Sequence, residues 1–590
     1  MDRQPPRSTS NAIDLYIRTY YSLLRSSGEV RVRSFEEAHA FSDSSLHTGA
    51  RDERPDVAAF GYSAARLPGC MTHVRRLVAG QSIDQFERAG LPVGGWQEVA
   101  TRGRRRPHRW DGVQSLAVFV TSASDIDDLV PIVTAYQIEW NKMHARLADS
   151  ALGRALREGQ APPDDAVLDE QLGQTLGLPP HDVDSLRKAL GGQVREGLAA
   201  IAQGPRDLRL RLLAGTLLEY RRATQRWWQG IETAYAGVGG EPRPVYFVSS
   251  NTHALCNLMG GYARAHLDRI LATILGPGRE RDVEGLAERV AQARDAGDEV
   301  ELSNLGYYLL RQYITAEPGC ERQRMAEVQD YDGQSGISTL TSPGHLDVNA
   351  QLFELSSLRP GRLDPRVRVE GMEVLRGSDA VIVNIDYPLG MAAYHHLTQL
   401  AQGVGEIRGI YVVGKAATLN GRVGDIMLST VAYDEHSQNT YLFRNCFVAE
   451  DLAPWVRYGT VLDNQKALTV RGSFLQNREY MNVFYREGYT VVEMEAGPYL
   501  SAIYEMVYPK RHPTDEVVHL SNLLPFDLGL LHYASDTPYS RRQSLLSKSL
   551  SYFGVDATYG CAVATLRRIL QQEVARLRAA GAAEDRDEAT

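Results

Sequence analysis

Four familiar signatures are missing from these 590 residues, and each absence removes a class of function. The five cysteines (Cys70, Cys256, Cys320, Cys446, Cys561) are an odd number without C-x-x-C spacing, so neither a disulfide framework nor a zinc ribbon is written here. That usage fits a reducing cytoplasm, the expected location. No uninterrupted apolar run approaches the roughly 18 residues that span a bilayer, and the opening MDRQPPRSTSN has no apolar signal core. Secretion and membrane partners are therefore not expected. Basic residues do not predominate: 64 Lys and Arg against 73 Asp and Glu give a net charge of −9, the wrong sign for coating nucleic acid. H-E-x-x-H, G-x-x-x-x-G-K-[ST], G-x-S-x-G and a complete G-x-G-x-x-G are also absent, which removes support for metalloprotease, P-loop, hydrolase-elbow and dinucleotide readings. No metal site is expected.

What is present is a globular composition, 43% apolar and 23% charged, long enough for several domains. Residues 1–11 and 578–590 are small, polar or charged and without period, and read as frayed tails. Residues 12–235 are patterned mainly as helices, among them Ile126 to Leu147, ahead of which Ser124 and Asp127 resemble a capping box, and Leu208 to Tyr235. One strand, Leu116 to Val120, interrupts them. After the turn GVGGEPRP the texture changes to short β-branched runs followed by loops and helix-period segments, the pattern of an α/β domain over 245–577. Its expected strands are Val245 to Val248, Ala380 to Asp386, Ile407 to Val413, Ile426 to Ala432, Tyr489 to Glu493 and Leu528 to Ala534. A helix is expected over Arg541 to Tyr552, and residues of about 276–345 read as a helical insertion or periphery.

Ligands of open α/β sheets bind beyond the carboxyl ends of strands, so the polar residues after each apolar run carry the interest. In VVEMEAGPYLSAIYE, Glu493 and Glu495 share a face in extended geometry while Met494 points the other way. Two such acids suit a sugar diol as strong ionised acceptors, or else the amino end of the following helix. Asp536, after LGLLHYAS and before Thr537-Pro538, is either an N-cap or an acid in a dry pocket that gives a proton to a leaving group.

In their order, DYPLGMAAYHHLTQLAQGVGEIRGIYVVGKAATLNGRVGDIML, VVEMEAGPYLSAIYE and HYASDTPYS resemble the nucleoside phosphorylase and nucleosidase superfamily, most clearly over 380–577. The resemblance implies a phosphorylase-type mixed-sheet α/β/α domain behind the mainly helical one, and cleavage of the N-glycosidic bond of a purine nucleoside or nucleoside 5'-monophosphate. Phosphate or water would be the nucleophile, with no cofactor beyond inorganic phosphate as a possible co-substrate. It implies Glu495 holding the ribose hydroxyls, Met494 lying against the sugar, Glu493 as neighbour in the same motif, and Asp536, beside Ser535, serving the purine at N7. Gly390 and Met391 would pass close to sugar and phosphate, and Gly414 would open the phosphate turn. A homo-oligomer is implied by resemblance alone.

This chain departs from that pattern at Lys415, where a small polar residue is usual, and at Val412, where phosphorylases often carry arginine. Lys415 is open to three readings: free phosphate, a 5'-phosphate, or solvent. Ser249, Ser250, Asn251 and His253, in the loop SSNTHA, are candidates for anion binding or for positioning the nucleophile, His253 having a capping role as its alternative. Phe474 is a candidate for stacking on the base, with core packing as its alternative, and Asp434 and His436 are candidates for the same mouth. The loop TRGRRRPHRW reads as a solvated cationic loop, and the paired tryptophans of YRRATQRWWQG read as packing against a second domain or subunit. A nucleotide-binding sensor without turnover, its helical half contacting a partner, is the rival to an enzyme.

Overall fold

The computed structural model describes residues 11–588 apart from 104–105, 214, 237–241, 277–284, 343–345, 509–510, 522–523 and 538–551. Two sheets organise them. The first contains β1 (Val30–Arg31), β2 (Arg76–Gly80), β3 (Gln97–Val99), β4 (His108–Trp110), β5 (Ser115–Phe119) and β6 (Arg209–Leu212), in the order β1-β6-β2-β5-β4-β3. Central β6, β2 and β5 are parallel. Of these strands only β5 is among the expected ones; β2, RLVAG, carries a short apolar run of its own, while the others are shorter or charged at alternate positions as in RLRL. The half is still mainly helical, dominated by Ala123–Ala148, which is buried along most of its length. Its N-cap is Ser122, whose N–H donates to Asp125 at 3.2 Å, two residues ahead of the expected box. The cationic loop is not fully solvated: Arg106 is buried, and donates to Asp125 at 2.8 and 2.9 Å and to Asp128 at 3.1 Å.

The second sheet contains β7 (Val245–Ser250), β8 (Ile337–Leu340), β9 (Ala350–Glu354), β10 (Val381–Asp386), β11 (Ile407–Thr418), β12 (Ile426–Asp434), β13 (Thr440–Leu442), β14 (Val461–Thr469), β15 (Val491–Glu493), β16 (Val517–His519) and β17 (Asp527–Asp536). Long β11 pairs with parallel β7 through its first half, antiparallel β15 near its end, and parallel β17 along its other edge. The pairs β11-β17, β17-β12, β12-β14, β14-β15 and β15-β11 close a five-stranded ring. From it extend β7-β10-β9-β8 on one side and β13-β16 on the other.

Alternation along β7 and β11 sends Tyr246, Val248, Tyr411 and Val413 into one core and Val245, Phe247, Ile410 and Val412 into another. Helices cover both, so the half is a mixed-sheet α/β/α fold. Three expectations change here. Within 276–345 the helix Glu299–Thr315 is not peripheral, since its Leu305 and Leu309 are fully buried in the core shared with β7, whereas the helix Glu321–Gly333 buries only Asp332. The expected helix Leu208 to Tyr235 divides into β6 and the helix Leu217–Ala236, which packs on the second sheet because its apolar stripe, with Trp227 and Trp228, matches that core. Trp227 donates to Val348 O at 2.8 Å. The closing tail is instead a continuation of the helix Tyr552–Glu588. The helix expected over 541–552 lies outside the described residues except for Tyr552. Among the described residues no helix is long and apolar enough to cross a membrane.

Candidate functional site

At the end of β15 the two acids part in role. Glu493 Oε2 accepts the N–H groups of Glu495 and Ala496, both at 2.6 Å, and its other oxygen takes the Thr469 hydroxyl, so it holds the first turn of the helix Ala496–Val507. Burial pushes its carboxyl up to about 7, against the pull of those hydrogen bonds. Glu495 turns to the neighbouring loop: Oε1 accepts the Gly390 N–H at 3.0 Å and Oε2 the Met494 N–H at 3.2 Å. Met494 packs with Leu419, Tyr433, Phe484 and Val492.

Gly390 has φ +53°, and a Cβ there would stand 2.3 Å from Ser124 Oγ, so glycine is required twice over. The next N–H, of Met391, donates to Ser124 Oγ at 2.9 Å. The Gly390-Met391 loop is thus pinned between Glu495 and the amino end of Ala123–Ala148 in the first half. Because the N-cap is Ser122, Ser124 is left to make this contact.

Gly414 lies under an aromatic ring. A Cβ there would meet Tyr387 Cζ at 2.4 Å, and the Tyr387 hydroxyl lies 3.3 Å from Nε2 of His532, the residue paired with Gly414 across β11 and β17. Burial first, then the charges of Glu495 and Glu493, raise the Tyr387 pKa; burial lowers His532 to about 4, so its imidazole is neutral near pH 7. The glycine expected to open a phosphate turn is therefore the floor beneath Tyr387.

Three residues further along, Ala417 of β11 pairs with Val492 on one edge and with Asp536 on the other. Two strand spacings, about 10 Å, separate those partners, so the diacid strand and the lone acid arrive at the same end of β11. Asp536 Oδ2 accepts from Ser535 Oγ at 2.9 Å, whereas Oδ1 is buried without a hydrogen-bond partner among the described residues. Burial raises the Asp536 pKa, opposed by the Ser535 hydrogen bond and the charges of Arg66 and Lys415. The Lys415 pKa is lowered by burial, with Asp536 opposing and Arg311 assisting. Arg66 comes from the first half, where it ends the helix Val57–Ala65 and lies 3.4 Å from the Tyr62 ring centroid.

The remaining candidates are placed elsewhere or engaged in holding the sheet. Ser249 Oγ accepts from Tyr499 at 2.7 Å, and Ser250 Oγ donates to Asn384 at 2.8 Å. Asn251 Oδ1 accepts the N–H groups of His253 and Ala254, at 2.9 and 2.8 Å, and His253 itself is the exposed N-cap residue of the short helix Ala254–Gly260. Phe474 is buried in the core of the first half, with ring centroids 5.2 Å from Tyr62, 5.8 Å from His39 and 6.2 Å from His47. Asp434 sits beneath the helix start, where a Cβ on Gly497 would touch it at 2.5 Å, and binds His436 Nδ1 at 3.0 Å. Burial opposes its ionisation, but His436 and Ser437 outweigh that and lower its pKa.

Tyr387 and His532 lie inside the quoted motifs without having been singled out; Ser124 reads in the sequence only as a capping residue, and its contact with the Gly390-Met391 loop, like the approach of Arg66 to Asp536, joins residues far apart in the chain. The same holds for a second contact between the halves, in which the Arg471 guanidinium stands 3.7 Å from Asp127 and the Arg471 N–H donates to buried Glu435 at 3.0 Å.

A family model described as "Family of unknown function (DUF6909)" matches residues 32–571. No curated protein matches. Among solved structures, a uridine phosphorylase from Vibrio fischeri aligns with a TM-score of 0.29 and 5% identity over 55% of this chain and 91% of its own. A 5'-methylthioadenosine/S-adenosylhomocysteine nucleosidase from Neisseria meningitidis aligns with a TM-score of 0.26 and 9% identity, over 40% of this chain and 91% of its own. Likeness at that level says nothing of chemistry.

Proposed function

We propose a function for this chain, which belongs to DUF6909, a family of unknown function: it breaks the N-glycosidic bond of a purine nucleoside or nucleoside 5'-monophosphate. The observation that carries the reading is the pairing of Ala417 with both Val492 and Asp536, which brings the diacid motif and a half-buried acid to one strand end. Asp536 has an unmatched oxygen and a raised pKa, the properties of a group that holds a proton for a leaving base. As the C1'–N9 bond breaks, its electron pair passes to the base, which takes a proton at N7 from Asp536. Water adds to the anomeric carbon and gives up a proton to solvent, or phosphate adds through one of its oxygens, and Asp536 regains its proton from solvent. Glu495 would accept the ribose hydroxyls after releasing the Gly390 N–H, so binding requires the Gly390-Met391 loop to move. Glu493 supports the motif by capping the helix and does not itself meet the sugar.

One observation favours the sensor reading. Tyr387 covers Gly414, and Glu495 already has backbone partners, an arrangement suited to binding without turnover. Incubating the protein with inosine, adenosine and AMP, with and without phosphate, and following free base by chromatography separates the two. Base release abolished by Asp536→Asn supports the enzyme; calorimetric binding of AMP with no base formed supports the sensor. Neither release nor binding sinks both.

A further inference from the structure

A second place in the molecule is built for an anion, far from β15 and β17. At the amino ends of β2, β5 and β6 lies a cavity of about 550 Å³ lined by Arg75, Arg76, Arg206 and Arg209 with Glu29 and Asp207. These ends are opposite the one at which β5 leads to Ser124 and the second half. Four arginines and two acids line it, and both acids already have arginine partners. Glu29 is shared by Arg76 at 2.7 Å and Arg209 at 3.2 Å, and Asp207 lies 3.8 Å from Arg31, outside the lining. Arg75 and Arg206 have no carboxylate partner among the described residues.

Arg206 is fixed in place. Its N–H donates to Asn141 Oδ1 at 2.7 Å, its carbonyl accepts from Asn141 Nδ2 at 3.0 Å, and its guanidinium stacks on Trp140 with Cζ 4.3 Å from the ring centroid. One Nη donates to Thr72 O, while Nε is buried out of reach of solvent and has no partner among the described residues. Burial, then the charge of Arg75, lower its pKa, Tyr136 opposing. A fold that clamps one arginine by backbone and ring, and sets beside it an exposed arginine with no carboxylate partner among the described residues, leaves a cationic cavity that a bound anion would complete. Phosphate offers three acceptor oxygens to such forks, and the volume falls within the range of small-molecule pockets.

We propose that this cavity binds a phosphate-bearing small molecule, its phosphate or pyrophosphate group held between Arg75 and Arg206. The test is calorimetric titration of the full chain with pyrophosphate and with inorganic phosphate at constant ionic strength. Saturable binding is expected, weakened about tenfold in Arg75→Gln, the loss of one charge-assisted hydrogen bond. Arg75 is exposed, so its substitution should leave the fold intact; Arg206→Lys, which keeps charge but removes the fork, should weaken binding in the same direction. Lys415→Gln and Asp536→Asn should bind as wild type, and Arg75→Gln should leave any base release unchanged, so this idea and the glycosidic reading fail separately. Absence of saturable binding, unchanged affinity in Arg75→Gln, loss in Lys415→Gln instead, or displacement by a single-stranded oligonucleotide more effectively than by pyrophosphate would each overturn it.

Discussion

Two carboxylates close strands in the two halves, Asp125 just after β5 and Asp536 at the end of β17, and their surroundings are opposite. Asp125 Oδ1 accepts from Arg106 twice, at 2.8 and 2.9 Å, and Oδ2 from the N–H and hydroxyl of Thr121, at 2.7 and 2.8 Å. Asp536 has one hydrogen bond from its neighbour and an oxygen matched by nothing described. A completely matched acid is part of the fold, whereas an incompletely matched one in a partly dry place carries a standing cost that a ligand removes. The first half builds its junction for permanence, and the second leaves one group in reserve.

The contrast breaks most visibly in activity. If base release is found, Asp536→Asn should slow it by about 10²- to 10⁴-fold, the effect of a lost general acid; a rate within twofold of wild type removes Asp536 from the mechanism. Next in size is Arg106→Ala, which removes the charge-assisted hydrogen bonds that a buried guanidinium gives to Asp125 and Asp128 and should lower stability by about 3–5 kcal/mol in urea unfolding. A loss no larger than that of a surface change would erase the distinction. Ser124→Ala removes one hydrogen bond between the halves and should cost about 1 kcal/mol. Its sharper readout is faster amide exchange at Gly390 and Met391, the segment that must move.

The smallest effect is a matter of sign. The folded pKa of Asp536 is raised, so the wild-type fold is relatively favoured when this group is protonated and loses that advantage as pH rises through the folded pKa. Asp536→Asn should therefore be modestly more stable than wild type at neutral pH, by a few tenths to about 1 kcal/mol. The gap should close as pH falls toward the ordinary carboxylate range, measured as urea midpoints across pH. A gap that widens on acidification would mean the carboxylate is stabilised by partners, as Asp125 is.

Sequence pattern revealed the second sheet better than the first for a physical reason. β7, β10, β11 and β17 are covered on both faces and form continuous apolar runs, which neighbours in sequence suffice to show. β14, with Asp463, Asn464, Gln465 and Lys466 in its middle, and the short strands of the first half are apolar only at isolated positions, and their pairing depends on residues far away. At the site, Glu493, Glu495, Gly390 and Asp536 stand where strand ends put them. What the pattern could not reveal was division of labour: Glu493 and Glu495 look alike in a row of letters, yet one caps a helix and the other holds a loop. Phe474 was equally opaque, because its neighbours His39, His47 and Tyr62 lie some 400 residues earlier.

That aromatic residue also bears on how the protein is made. Phe474 and Leu475 complete a core whose other members are all in place by Leu210, and Asn477 Nδ2 fastens the same segment to Ser42 O at 3.0 Å. During synthesis the early half must wait for roughly 260 further residues, about 13–50 s at 5–20 residues per second, with an apolar socket open between its histidines and Tyr62. Nascent chains stalled before this point would expose that socket to chaperones. A truncated early half should gain solubility when a peptide carrying Phe474 to Asn477 is supplied in trans.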